Sequence, residues 1–365
     1  MKVVITGGHH TSALPVIEKL KKEHPKIDIC FVGHKHTLKN DTAVSLEYQE
    51  INSLGIPFYE LKAGKIYGIY NPFQIIKIIS GFIKAFGLLL KIRPDAILSF
   101  GGYLAAPVVV SGWFLRIPSI THEQTVVAGY ANRLISKFAR KILISWESSR
   151  KYFPAEKIVY SGLPLRSEIF AAKSNKFIFD NDLPVVYITG GKTGAHNINL
   201  VIKEALPNLL SVCNVIHQCG DFQKLNDFEK LQTLYKTLEN VSGKYYVTKF
   251  VMDTNIGEAF TKADIVVSRS GAHTTMELLA LEKPSILIPI PWVSHNEQFE
   301  NAKVLEDAGL AKILPEDDLT PQSLVSTVSE MVSNIKDYKL NDVGAKKAIK
   351  QDATEIIVNE LLKLI

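Results

Sequence analysis

Apolar positions along the chain fall into short runs that end in glycine and give way to helical spacing. KVVIT (2–6) meets Gly7 and Gly8, and ALPVIEKLKKEH then spaces its apolar residues as one helix face. DAILSF (95–100) leads into GGYLAAPVVVSGWFL, with PSITHE and KILISW as further short strands. The order restarts at PVVYITGGKTGAHNINLVIKEALPNLL (184–210), followed by NVIHQCG, YYVTKFV, DIVVSRSG and PSILIPIP. Strand, glycine turn and helix in repetition predict a parallel sheet with helical crossovers. Two such series predict two doubly wound domains, with the carboxyl ends of both sheets lining a cleft. A linker is expected in VYSGLPLR (159–166), giving domains 1–162 and 163–342. A helical tail, 343–365, follows; the residues alone let it pack on either domain.

Bulk properties narrow the class. A length of 365 residues suits two or three domains, and 46% hydrophobic with 22% charged residues describes an ordinary folded chain. The net charge of +5 comes without a basic stripe or an aromatic RNA signature, so nucleic acid is not an expected partner. Cys30, Cys213 and Cys219, with no CxxC, argue against a disulfide frame or a zinc site. The opening apolar run is too short for a signal peptide, and no segment reaches the ~18 uncharged apolar residues that a membrane span needs. The most apolar stretch, 71–94, is broken by Lys77, Lys84 and Lys91, which share one helical side. Phe73, Ile76, Ile79, Phe82, Ile83, Phe86, Leu89 and Leu90 lie around them, with Trp113, Arg116, Lys137, Arg140 and Lys141 in the same domain. Such a mixture suits an anionic membrane surface. A core helix with one solvated stripe is the alternative; the expectation is a helix mostly buried with some apolar groups exposed.

Four loops carry candidate chemistry. ITGGKTGAHN (188–197) combines glycines with a following helix whose free N–H groups suit a phosphate, and Lys192 and Thr193 add a charge and a hydroxyl. A plain βα turn reads equally well. TGGHHTSALP (6–15) places Gly8, His9, His10, Thr11 and Ser12 in a tight turn, where one histidine could exchange protons. His122, Glu123 and Gln124 are expected to project from a strand end, or else to be bonded there for structure alone. In RSGAHTTME, Glu277 lies about one turn into a helix and is suited to accept two ribose hydroxyls. A carboxylate stabilised by the helix dipole is its bland alternative. Gln298 and Asn301 are candidates for sugar hydroxyls.

FGGYLAAP, HEQ, SGLPLR, GGKTGA, VTKF, RSGAHTTMELLALEKPSILIPIP and NEQFENA, in this order and spacing, resemble the MurG family of bacterial peptidoglycan N-acetylglucosaminyltransferases, glycosyltransferase family 28. The resemblance spans about residues 1 to 330. It implies a GT-B fold: two Rossmann-like doubly wound domains facing across a cleft, the first for acceptor and membrane, the second for UDP-GlcNAc. The tail is then expected to pack back on the first. It implies inverting transfer of GlcNAc from UDP-GlcNAc to the 4-hydroxyl of the N-acetylmuramoyl unit of lipid I, giving lipid II and UDP. By motif, Glu277 falls on the ribose position, with Ala272, His273 and Thr274 beside it. Val251 falls where backbone reads uracil, Arg166 near the nucleotide, Lys192 where the family has a diphosphate-binding serine, and Gln298 on the GlcNAc hydroxyls. Three departures stand out, one of them Glu297 where the family has a glutamine before Gln298. The family's GGTGGH is GGHHTSALP here, which puts its histidine on Ser12 and leaves His10 as the candidate for that role; HEQN is HEQT, so its asparagine is Thr125.

For the base, His10, Glu123 and then His122 are the candidates. No metal or other cofactor is expected, because a helix N-terminus with Lys192 and Arg166 can stabilise departing UDP. The expected location is the cytoplasmic face of the membrane, with cell-wall synthesis proteins as possible partners. Three rivals remain: a GT-B enzyme with another lipid acceptor, a UDP-GlcNAc 2-epimerase, and a scaffold that has lost activity.

Overall fold

The computed structural model describes residues 1–36, 44–64, 72–191, 194–222, 224–293 and 296–365, and only the backbone of 72–74. The chain divides into two compact units, 1–165 with 350–365, and 166–349. The first boundary therefore falls a little beyond the expected Gly162.

The first unit runs β1 (Lys2–Thr6), α1 (His10–Glu23), β2 (Asp28–Gly33), α2 (Leu46–Ser53), β3 (Phe58–Glu60), α3 (Pro72–Ile92), β4 (Ala96–Ser99), α4 (Ala105–Phe114), β5 (Ser119–Glu123), α5 (Tyr130–Phe138), β6 (Lys141–Ile144) and β7 (Ile158–Tyr160). Its strands form a parallel sheet ordered β3-β2-β1-β4-β5-β6-β7. Strand residues alternate between two buried layers, which is why the strands read as unbroken apolar runs. Val3 and Ile5 face Val16, Ile17 and Leu20, whereas Val4 and Ile97 face Ala85, Leu89 and Val109.

The second unit contains β8 (Val185–Thr189), α6 (His196–Leu209), β9 (Asn214–Gln218), α7 (Asp227–Thr237), β10 (Tyr245–Thr248), α8 (Asp253–Lys262), β11 (Ile265–Ser268), α9 (Ala272–Ala280), β12 (Ser285–Leu287), α10 (Glu297–Asp307), β13 (Ala311–Ile313), α11 (Pro321–Ser333) and α12 (Val343–Ala348). Its parallel sheet is ordered β10-β9-β8-β11-β12-β13. The last helix, α13 (Ala353–Leu362), returns to the first unit, burying Ile357, Val358 and Leu361 among the residues of α1. The expected tail is thus two elements: α12 packs against α9 in the second unit, and only α13 joins the first.

The strand seen as part of the linker is also a correction. Ile158–Tyr160 pairs with β6 as an edge strand, so the crossing segment starts after it. On α3, Ala85 and Leu89 are buried, but Ile76, Ile79, Ile83 and Leu90 are each more than half exposed beside exposed Lys77 and Lys84. That helix shows more apolar surface than its sequence led us to expect. The expected contribution of the Phe73 side chain lies outside the described residues.

Candidate active site

In an open parallel sheet, ligands bind beyond the carboxyl ends of the strands where the strand order reverses. In the first unit that point lies between β1 and β4. Gly7 there has φ +148°, and a Cβ on it would sit 2.8 Å from the Phe100 carbonyl carbon. The Gly8 N–H donates to the Gly101 carbonyl at 3.0 Å, stitching the two loops together. His9 is the N-cap residue of α1 and makes no side-chain cap. Its imidazole is lowered to about 4, first by burial and then by neighbouring His10. His10 turns the other way, placing Nε2 2.8 Å from Glu50 Oε2 on α2. Thr11 is half-buried, and the buried Ser12 hydroxyl donates to Gln124 Oε1 at 2.8 Å.

The end of β5 is a closed framework. Glu123 accepts from Asn132 Nδ2 at 3.0 Å, from the Thr125 N–H at 3.1 Å and from the Thr125 hydroxyl at 2.8 Å. Burial raises its carboxyl above the ordinary range, and these hydrogen bonds oppose that rise. His122 Nε2 donates to the Gly162 carbonyl at 2.9 Å and lies 3.2 Å from Ser145 Oγ. Burial lowers its imidazole to about 4, against the Gly162 bond and with help from His9. All four residues from His122 to Thr125 are buried.

In the second unit the strand order reverses between β8 and β11. The glycine loop after β8 is held from β9: Gln218 Nε2 donates to the Gly191 carbonyl at 2.7 Å, and its Oε1 accepts the Val251 N–H at 2.8 Å. Gly194, at φ +78°, would place a Cβ 2.1 Å from the Cys219 carbonyl oxygen, so only glycine fits. Asn199 on α6 donates to that same carbonyl at 2.8 Å and to Asp227 at 2.7 Å. Neither α6 nor α9 has a side-chain cap, so both helices present backbone donors toward this edge.

After β11, Arg269 is buried in an ion pair with Glu316 and donates to the Ile288 carbonyl. The Ser270 hydroxyl donates to the Gln298 carbonyl at 2.7 Å, and Gln298 Oε1 accepts the Ile290 N–H at 3.1 Å. The loop after β11 is thereby tied to the start of α10. Glu277, 4% exposed, receives Arg166 Nε at 2.9 Å and Nη2 at 3.5 Å, and Arg166 Nη1 reaches Asp253 at 3.2 Å. Burial works to discharge that guanidinium, but the Glu277 carboxylate outweighs it and holds Arg166 more firmly charged than usual.

Two family models match the chain, the glycosyltransferase family 28 N-terminal domain over residues 3–144 and the family 28 C-terminal domain over 185–357. A Bacillus cereus (strain ATCC 10987 / NRS 248) protein named UDP-N-acetylglucosamine--N-acetylmuramyl-(pentapeptide) pyrophosphoryl-undecaprenol N-acetylglucosamine transferase 2 is 34% identical, covering 96% of this chain and 97% of its own. The chain belongs to glycosyltransferase family 28. A relative from Legionella pneumophila (strain Paris), with the corresponding transferase name, is 32% identical over 97% of this chain and 93% of its own. The crystal structure of Acinetobacter baumannii MurG superposes with a TM-score of 0.72 at 25% identity, covering 99% of both chains. A UDP-GlcNAc 2-epimerase from Neisseria meningitidis, 18% identical with a TM-score of 0.65, shares the fold alone.

Set against the family 28 pattern, the structure brings Arg166, Val251, Ala272, His273, Thr274, Glu277 and Gln298 to one edge of the second unit. Lys192 and Thr193 lie outside the described residues. Glu277 is the sixth residue of α9, in its second turn, so the helix dipole is not what holds it; Arg166 is. Val251 gives its N–H to Gln218. In the first unit, Glu123 does not project as a free base. Its carboxylate is occupied by Asn132 and Thr125, and the bland reading of a strand end bonded for structure describes it. Asn132 and Gln218 were missed as site residues. Their only signal was an amide placed just inside a helix after HEQT, and another at the end of β9.

Proposed function

We propose that this chain transfers GlcNAc from UDP-GlcNAc, with inversion, to the 4-hydroxyl of the N-acetylmuramoyl unit of undecaprenyl-pyrophosphoryl-MurNAc-pentapeptide, releasing UDP and forming lipid II. The observation that carries the reading is similarity to transferases of that name along almost the whole chain. The second unit supports a donor role. Uncapped α6 and α9 give backbone donors for a diphosphate, and the Arg166–Glu277 pair leaves a rigid carboxylate edge for ribose hydroxyls.

The acceptor oxygen forms its bond to the anomeric carbon as the bond to the UDP oxygen breaks, and the acceptor proton must go to a base. His10 suits this role. Glu50 Oε2 lies against its Nε2, which fixes a tautomer with Nδ1 unprotonated and stabilises the imidazolium formed when Nδ1 takes the proton. His122 has Nε2 on Gly162 and is a weaker base because burial keeps it neutral. UDP leaves with its negative charge against the N-termini of α6 and α9.

The acceptor's lipid tail requires contact with a membrane. Among the described residues, no helix is long and apolar enough to cross one. The exposed Ile76, Ile79 and Ile83 of α3, with neighbouring lysines and exposed Trp113 and Phe114 at the end of α4, suit peripheral binding to an anionic surface at the cytoplasmic face. The deciding experiment measures UDP release from UDP-GlcNAc with and without lipid I. Release that depends on lipid I and yields the disaccharide supports the reading. Conversion of UDP-GlcNAc without an acceptor would support an epimerase instead.

A further inference from the structure

The first unit contains a chain of side chains that runs from α2 to the point where its strand order reverses. Gly33 ends β2, and a Cβ on it would lie 2.6 Å from Glu47 Oε2 and 2.8 Å from the Phe31 ring. The glycine therefore leaves a space that the Glu47 carboxyl fills. Glu47 is the second residue of α2, is 9% exposed, and accepts the His34 N–H at 2.9 Å. Ser45, the N-cap of α2, donates its hydroxyl to the His34 carbonyl at 2.6 Å. His34 is thus gripped at both backbone polar groups by the start of one helix. Its ring Nε2 meets the Tyr103 hydroxyl at 2.5 Å. Tyr103 follows Gly101 and Gly102 in the loop after β4, where Gly101 accepts the Gly8 N–H.

We infer that Glu47 and His34 are positioning residues for acceptor binding: with Gly33 they fix the Tyr103 turn, and through it the backbone cradle formed by Gly8 and Gly101. This rests on the reading that the first unit takes the acceptor. The donor edge in the second unit is built from other residues, so damage here should fall on the acceptor alone. Burial pushes the Glu47 carboxyl up to about 7, so a neutral amide is a close substitute for it. A buried glutamate that only stabilised the fold would give no reason for the effect to be confined to one substrate.

The test varies UDP-GlcNAc and a short-chain prenyl-pyrophosphoryl-MurNAc-pentapeptide against Gly33→Ala, Glu47→Ala, Glu47→Gln and His34→Phe. Gly33→Ala, Glu47→Ala and His34→Phe should raise the acceptor KM about tenfold and leave the donor KM within about twofold, while Glu47→Gln restores most of the loss. Equal changes in both KM values, an unchanged acceptor KM, or Glu47→Gln as damaging as Glu47→Ala would overturn the inference. A second measurement follows the His34 ring Cε1–H resonance in the full chain without substrates. It should move in both Tyr103→Phe and Glu47→Ala, and an unmoved resonance in either overturns the inference. Should the wild type transfer nothing to this acceptor, the proposed function fails, and this resonance judges the side-chain linkage separately.

Discussion

Glu258 on α8 offers a quantitative check on how the Arg166-bearing segment is held. Its carboxylate is 1% exposed and accepts the N–H groups of Lys176 and Phe177 at 2.8 Å each, the Ser174 hydroxyl, and Lys262 Nζ at 3.1 Å. Burial alone would raise its pKa; the four donors reverse this and bring it from 4.5 to about 2. At about 1.4 kcal/mol per pH unit, that difference corresponds to about 3 kcal/mol of folding stability. The folded pKa is the lower one, so the contribution is fully present above pH 4.5. It is lost as pH falls through about 2. Glu258→Gln removes the charge and turns an amide donor toward groups that are themselves donors. It should cost about 2–4 kcal/mol at neutral pH, and the gap from wild type should shrink as the solution is taken below pH 4. Denaturant unfolding across pH, with hydrogen exchange at the Lys176 and Phe177 amides, reads both effects. A loss below about 1 kcal/mol at pH 7, or a gap that does not change with pH, would refute the reasoning.

Four further outcomes are expected. Arg166→Leu leaves the Glu277 carboxylate buried without its partner and should cost about 3 kcal/mol, whereas the double variant with Glu277→Leu should cost clearly less; a double-mutant cycle by urea unfolding decides this. Glu277→Ala should weaken UDP-GlcNAc binding by at least about tenfold while circular dichroism stays unchanged, and equal affinity in calorimetry counts against the donor site. His10→Gln should lower kcat about 10²–10⁴-fold with little change in donor KM, and Glu50→Gln should fall between it and wild type. Replacing Ile79 and Ile83 of α3 with glutamate should abolish cosedimentation with anionic vesicles without altering turnover of a soluble acceptor.

How much of this was legible depends on the range of the interaction. Strands buried on both faces write themselves as apolar runs, so β1, β4, β5, β8 and β11 could be read directly. The three-residue edge strands β3, β7 and β13 could not, because each is too short to show a pattern and is not bounded by a buried run on both sides. The split of the tail was hidden for another reason. Only the fold decides that α12, with Ala345 buried, packs against α9 while Ile357 and Leu361 of α13 join the residues of α1.

The same distinction applies to the site. Glycine loops and helix starts are local, and the structure places those after β8 and β11 at the carboxyl edge of the second sheet. Partner choice is not local. The sequence offers Arg166 and Glu277 as two separate nucleotide contacts, 111 residues apart, yet the chain closes them into one ion pair. The turn by itself leaves open which of His9 and His10 exchanges protons, yet one turn of backbone sends His10 to Glu50 and leaves His9 close enough to His122 to influence its pKa. Glu123 shows the converse case, since the donors that occupy it lie within nine residues, at Thr125, Gly129 and Asn132. That framework was in reach of the sequence, but a carboxylate at a strand end reads first as chemistry. A polar residue near a sheet edge should therefore be assigned to catalysis only after its own neighbours in the chain have been tried as its partners. By that standard His10, whose carboxylate partner Glu50 comes from another helix 40 residues away, is the stronger candidate for proton transfer.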